Sequence, residues 1–93
     1  MAGPVGGINP KGYQQITALS SAVSLTVPEG AIRALIQCET QDVRWRDDGT
    51  DPTGAIGMLL KVNTVLEYDG RLDKLRFIEA AASAKLNVSY YGV

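Results

Sequence analysis

Apolar and polar residues alternate along much of this chain, and a period of two residues is the pattern of a β-strand with one buried face. In residues 85–91, Leu86, Val88 and Tyr90 fall on one face and their neighbours fall on the other. Residues 31–40 alternate in the same way with one interruption. Both segments are therefore predicted to be strands.

Further short strands are predicted between turn signals. Residues 13–27 indicate two strands separated by a pair of serines. The turn signals recur about every 8–12 residues, which is the spacing expected of a sandwich or a barrel. The other predicted strands are residues 43–46, 57–62 and 65–68, with turns at residues 28–30, 47–54 and 69–70.

Residues 72–86 fit two different structures. Three consecutive alanines and an apolar residue at every third or fourth position favour a helix. Leu75 and Phe77, however, alternate with basic residues as a strand requires. We favour a short strand over residues 74–79, with the helix as the alternative.

The N-terminal segment differs from the rest of the chain. Residues 1–12 hold four glycines and two prolines, so they cannot offset the entropy of becoming ordered alone. They are predicted to form an extended arm, either a flexible tail or a segment that becomes ordered on a neighbouring subunit. Residues 13–93 are predicted to be a single domain. With seven to eight short strands, the predicted fold class is all-β, an antiparallel β-sandwich, of which the jelly roll is one form.

One segment combines the single tryptophan with the clearest turn signal. On an extended strand, Val43 and Trp45 face the core while Arg44 and Arg46 face solvent. The loop that follows, residues 47–54, is either a solvated turn or an interaction loop presented by a rigid scaffold.

Composition and charge restrict the partners. The chain has 93 residues, 45% of them apolar, and a net charge of −1 at pH 7. This balance offers no basic footprint for nucleic acid and no field that would attract an anionic membrane. Arg44 and Arg46 are expected to pair with carboxylates of a neighbouring strand or subunit. The single cysteine, Cys38, is expected to be a buried free thiol.

The chain contains no histidine, which removes Ser-His and Cys-His nucleophile pairs and the common zinc ligand sets. No catalytic residue, no cofactor and no enzymatic activity are predicted. Asp47, Asp48 and Asp51 cluster on one turn, but an EF-hand register would need ligands where Arg44 and Arg46 stand. No metal site is predicted, and a calcium site of another type at the three aspartates is the alternative.

Five segments, in the same order along the chain, resemble small virion structural proteins of tailed bacteriophages. The resemblance concerns residues that determine a fold and includes no catalytic motif. The segments are VRWRDDGTDPT at 43–53, GMLL at 57–60, EYDG at 67–70, RFIE at 76–79 and KLNVSYY at 85–91.

The resemblance implies a β-sandwich that works by assembling. It implies a homo-oligomeric capsid decoration or cement protein on the surface of the virion head, made in the bacterial host cytoplasm and bound to the major capsid protein. The alternatives are a collar, head-fibre, tail or baseplate component, and a host-surface sugar-binding module that would need exposed Trp45, Tyr90 and Tyr91. The predicted partner-binding residues are Gly6, Gly7, Ile8, Asn9, Pro10, Arg44, Trp45, Arg46, Asp47, Asp48, Thr50 and Asp51.

Overall fold

The computed structural model describes residues 8–93. Within them the chain has eight strands, one short 3-10 helix and no α-helix, so the predicted all-β class is confirmed. The strands are β1 (Asn9–Ile16), β2 (Val23–Ser24), β3 (Ala31–Glu39), β4 (Val43–Arg46), β5 (Met58–Leu60), β6 (Val65–Tyr68), β7 (Arg76–Glu79) and β8 (Lys85–Gly92), and the 3-10 helix is Leu72–Lys74.

The strands form two antiparallel sheets of four strands each. The first sheet has the order β1-β8-β3-β6 and the second has the order β2-β7-β4-β5. Strands β1 and β6 are therefore the edges of the first sheet, and β2 and β5 are the edges of the second. Residues of both sheets contribute to a single buried apolar cluster, which is the arrangement of a sandwich.

Four of the strand pairs are nested within one another along the sequence. They are β1 with β8, β2 with β7, β3 with β6, and β4 with β5. Two further pairs, β3 with β8 and β4 with β7, join the nested pairs into the two sheets. This order is compatible with a jelly roll, which stays a prediction.

The middle strands of the first sheet supply much of the core. Ile36 and Cys38 of β3 and Leu86 and Val88 of β8 are all 0% exposed, so the predicted inward face of β8 is confirmed. Cys38 is a free buried thiol, as predicted, and its Sγ donates to the carbonyl oxygen of Leu60 at 3.3 Å. Burial raises the pKa of this thiol, as expected for a group that packs as a small hydrophobe.

The ambiguous segment contains a strand, as predicted, although β7 begins at Arg76. Phe77 on this strand is fully buried. Leu72 and Leu75, whose spacing favoured a helix, are buried by the 3-10 turn instead. The three alanines at residues 80–82 lie exposed in a turn. The helical alternative is therefore wrong for this segment.

The N-terminal boundary differs from the one predicted at residue 12. Strand β1 begins at Asn9 and pairs with β8, with Asn9 opposite Gly92 and Pro10 opposite Tyr91. Backbone hydrogen bonds hold this pairing, so the segment needs few apolar side chains to be ordered. Proline is tolerated because β1 is an edge strand. Residues 1–7 of the predicted arm lie outside the described residues.

The last glycine of β8 allows a close approach between two segments. Gly92 lies against the backbone of Gly30, and a Cβ at this position would overlap the Gly30 carbonyl oxygen. We expect Gly92→Ala to lower the free energy of unfolding by about 1–3 kcal/mol through overpacking. The measurement is equilibrium urea unfolding of the full chain.

Gly54→Ala is the matched control for this substitution. A Cβ at Gly54 would meet its nearest atom, the Glu79 carbonyl oxygen, at an ordinary 3.6 Å. We expect this variant to stay within ~0.5 kcal/mol of the parent. Equal stability of the two variants would show that β8 and the Gly30 turn do not approach as closely as described.

Candidate interaction site

The predicted loop site is built on the hairpin of β4 and β5. Val43 pairs with Leu60, and Trp45 pairs with Met58. On its other side β4 pairs with β7, so it is held within the sheet, whereas β5 is an edge. The hairpin therefore presents residues 47–57 from a fixed strand on one side and an exposed strand on the other.

The predicted faces of β4 are confirmed. Val43 is fully buried, and Trp45 packs against the core cluster. The indole ring meets the Tyr68 ring edge to face, with centroids 5.9 Å apart and planes at 77°. Because aromatic pairs favour this geometry, Trp45 anchors the end of β4 to β6 of the first sheet. Arg44 and Arg46 then take the outer face, although each is only partly exposed.

The first loop residue also joins the two sheets. The Tyr68 hydroxyl donates to Oδ2 of Asp47 at 2.6 Å. Burial, followed by the hydrogen bond and charge of Asp47, raises the pKa of Tyr68 to about 12. Asp47 thus holds the loop against β6 rather than pointing freely into solvent.

Asp48 is held by the strand that precedes it. Arg46 donates from Nε to Oδ1 at 3.0 Å and from Nη2 to Oδ2 at 2.6 Å. This bidentate guanidinium lowers the pKa of Asp48. The Thr50 amide adds a 3.4 Å contact to Oδ1. The pair is exposed, so its main effect is to order the loop rather than to stabilise the fold.

The second half of the loop is closed by its own bonds. The Thr53 amide donates to the Ile56 carbonyl at 2.9 Å, and the Ile56 amide donates to Thr53 Oγ1 at 3.0 Å. Pro52 is buried beneath this turn. Gly57 has a φ of +142° and passes close to Pro52, where a Cβ would come within 3.1 Å. The second half of the loop is therefore closed by hydrogen bonds of its own.

Arg44 is the least satisfied side chain of the site. Its Nη1 donates to the Gly57 carbonyl at 3.0 Å. Its Nε is buried and is the one such side-chain nitrogen or oxygen in residues 8–93 that lacks a hydrogen-bond partner. Leaving a buried donor unpaired costs ~1–3 kcal/mol, so this arrangement works against the stability of the isolated chain.

Exposed apolar side chains flank the loop. Ile56 is 59% exposed, Met58 60% and Leu59 44%. Ile56 and Met58 line a shallow depression of about 230 Å³ together with residues 46–48 and Gly57. Sequence reasoning missed these side chains because it treated residues 57–62 only as a strand. The signal was present, since three apolar residues in succession cannot all face a core in a strand.

The described residues hold no group of three side chains suited to a metal ion. Asp47 accepts from Tyr68 and Asp48 is paired with Arg46, so two of the three aspartates already have protein partners. Asp51 is exposed and makes no hydrogen bond within the described part of the chain.

The predicted N-terminal residues lie in another part of the fold. Ile8, together with Arg33 and Tyr91, lines a shallow depression on the first sheet, and Asn9 and Pro10 belong to β1. No residue of the β4–β5 loop lines that depression. The structure therefore does not bring these three residues together with the loop. Gly6 and Gly7 lie outside the described residues.

Comparison of the chain with protein-family models, with curated proteins and with solved structures finds no match. The resemblance to phage virion proteins therefore stays a prediction. Among residues 8–93, no helix is long and apolar enough to cross a membrane.

Asp47→Asn is expected to lower the pKa of Tyr68 from about 12 towards the ordinary value of ~10. The substitution removes a negative charge and a charged acceptor beside the phenol, while burial of the ring remains. The measurement is the pH dependence of the Tyr68 Cζ chemical shift, assigned with Tyr68→Phe. Asp51→Asn removes the same charge from the same loop without touching Tyr68, and an equal shift in that variant would contradict the role of the contact.

The raised pKa of Tyr68, caused first by burial and then by Asp47, predicts a loss of stability at high pH. The pKa of Tyr68 in the folded state lies above that of the unfolded chain, so the stability it contributes is fully present below pH ~10 and is lost as the pH rises towards 12. Burial raises the pKa of Tyr90 to about 12 as well. We expect the free energy of unfolding to fall across this window, with a smaller fall in Tyr68→Phe. An unchanged slope in that variant would reject the linkage.

Proposed function

We propose that this chain is a non-enzymatic structural protein of a tailed-phage virion, and most specifically a capsid decoration or cement protein. It would bind the major capsid protein lattice and a second copy of itself, and so stabilise the head. The observation that carries this proposal is the exposure of large apolar side chains on the edges of both sheets.

Three edge strands present such side chains within residues 8–93. Tyr13 on β1 is 64% exposed, Val65 on β6 is 60% exposed, and Met58 on β5 is 60% exposed. Strand edges with exposed apolar groups invite pairing with other chains, and monomeric proteins avoid them. In a protein that works by assembling, neighbours cover these edges.

The fold gives a second, weaker line of support. The nested strand order is compatible with a jelly roll, an architecture that viral capsid domains share with lectins and cupins. Fold by itself does not select among these functions. The resemblance of residues 43–91 to virion proteins favours the viral capsid role over the lectin and cupin roles.

The proposed mechanism is the addition of buried interface to a completed shell. A standard interface takes about 800 Å² from each partner, roughly one sixth of the 5196 Å² surface of this chain. The surface therefore has room for both a shell contact and a contact with a second copy. A protein that binds only the assembled shell stabilises it by mass action.

The sugar-binding alternative has less support from the side chains it needs. Tyr90 is 1% exposed, and its hydroxyl donates to Oε1 of Gln14 at 2.7 Å. Trp45 packs against the core. Of the three aromatic residues that would contact a sugar, only Tyr91 is left at an outer position of its sheet.

The deciding measurement is the number of copies of this chain in purified virions of the phage that encodes it. Quantitative mass spectrometry should give about one chain per major capsid subunit, because a cement protein occupies sites that repeat across the shell. A known tail protein in the same sample provides the control for low copy number. A handful of copies would indicate a collar, fibre, tail or baseplate component, and absence from virions would reject a structural role in the particle.

A further inference from the structure

The outer face of the second sheet carries three arginine side chains and therefore a concentration of positive charge. Arg44 and Arg46 alternate on β4, and Arg76 of β7 lies directly opposite Arg46 in the strand register. Like charges at directly opposite positions destabilise an antiparallel pair. The remaining strand positions of this face, read from the register, are Ser24, Leu59 and Ile78.

The chain compensates for this charge only in part. Asp48 pairs with Arg46. Within residues 8–93, no carboxylate lies within 4.0 Å of the guanidinium of Arg44 or Arg76. The Nη1 atom of Arg76 donates instead to the carbonyl oxygens of Asp73 at 3.1 Å and Leu75 at 3.0 Å. Three guanidinium groups thus face one carboxylate, in a chain whose net charge is −1.

The state of Arg44 is a second and independent observation. Its Nε is buried without a partner, while its Nη1 holds the Gly57 carbonyl. If a carboxylate of a partner moved the Arg44 guanidinium outwards, its two oxygens would accept hydrogen bonds from Nε and from one Nη atom of Arg44. The neighbouring Arg46 already holds Asp48 in this side-on bidentate geometry, so the outer face accommodates it.

The same face selects the kind of anion. Leu59, which is 44% exposed, and the partly exposed Ile78 occupy the strand positions on either side of Arg44. A partner must therefore combine carboxylates with apolar side chains, as an acidic peptide segment does. The phosphate backbone of a nucleic acid would meet the guanidinium groups, but it carries no aliphatic side chain to cover Leu59 and Ile78.

We infer that the outer face of the second sheet, formed by Arg44, Arg46, Arg76, Leu59 and Ile78, docks an acidic segment of a partner protein. Arg44 and Arg76 supply the guanidinium groups of this face that have no carboxylate partner within residues 8–93, and these bind the carboxylates of the segment. The two aliphatic side chains contact its apolar residues. This goes beyond the proposed function, because the recognition chemistry does not depend on which protein carries the segment.

The test is direct binding of a fluorescein-labelled hexapeptide of alternating glutamate and leucine to the full chain, followed by fluorescence anisotropy at about 50 mM salt. The double variant Arg44→Gln with Arg76→Gln is expected to weaken binding by about tenfold or more, since hydrogen bonds between charged groups are strong. The conservative double variant Arg44→Lys with Arg76→Lys should lose part of the affinity. Lysine keeps the positive charge but lacks the planar guanidinium group that binds a carboxylate through two hydrogen bonds.

The matched control is Arg33→Gln with Lys85→Gln, which removes two charges from the outer face of the first sheet. This variant should change the affinity less than about twofold. Circular dichroism and urea unfolding check that every variant is folded.

Three outcomes would overturn the inference. They are an absence of peptide binding to the parent chain, an equal loss in both glutamine double variants, and tighter binding of an oligonucleotide of the same charge than of the peptide. Because the assay uses the isolated chain and a peptide, its failure would leave the copy-number result in virions unaffected.

Discussion

The packing of the two sheets against each other is the constraint on which the rest of this structure depends. A chain of 93 residues has a small core, so each buried side chain matters; burying one large aliphatic or aromatic residue contributes about 1.5–3 kcal/mol. Strand β8 lies between β1 and β3 and directs Leu86, Val88 and Tyr90 inwards. Phe77 and Val43 meet them from the second sheet. Once these residues are buried, the opposite residues of each strand must face outwards.

That constraint also determines the form of the candidate site. Trp45 is drawn inwards against Tyr68, so Arg44 and Arg46 are left on the outer face of β4. The contact between Asp47 and Tyr68 then fixes the start of the loop to the first sheet. The loop residues are therefore positioned by core packing, and the outer arginines receive no compensation from the core.

The sequence predicted the elements whose pattern is local. Strands β3, β4 and β8 follow from alternation, β6 follows from the Asp69-Gly70 turn signal that closes it, and the faces of β4 follow from the order of four residues. Pairing was beyond the reach of this reasoning, because β1 joins β8 across most of the chain and no local pattern specifies that partner. The start of β1 was missed for the same reason. The juxtaposition of Arg46 with Arg76 and the contact between Asp47 and Tyr68 depend on pairing and packing, so spacing could not reveal them.

The departures from good folding rules lie at the edges and on the outer face of the second sheet. An unpaired buried Nε on Arg44 and an arginine opposite an arginine both lower the stability of the isolated chain, as do the apolar side chains of β5 and β6 that meet water. Such local conflicts are expected where a surface serves a partner. Tyr13 and Val65 lie on the edge strands of the first sheet, whereas the guanidinium groups without a carboxylate partner lie on the outer face of the second sheet, so one contact cannot cover both. The proposed bridging of two different neighbours would need two surfaces of unlike chemistry, and the edge strands of the first sheet and the outer face of the second sheet differ in this way.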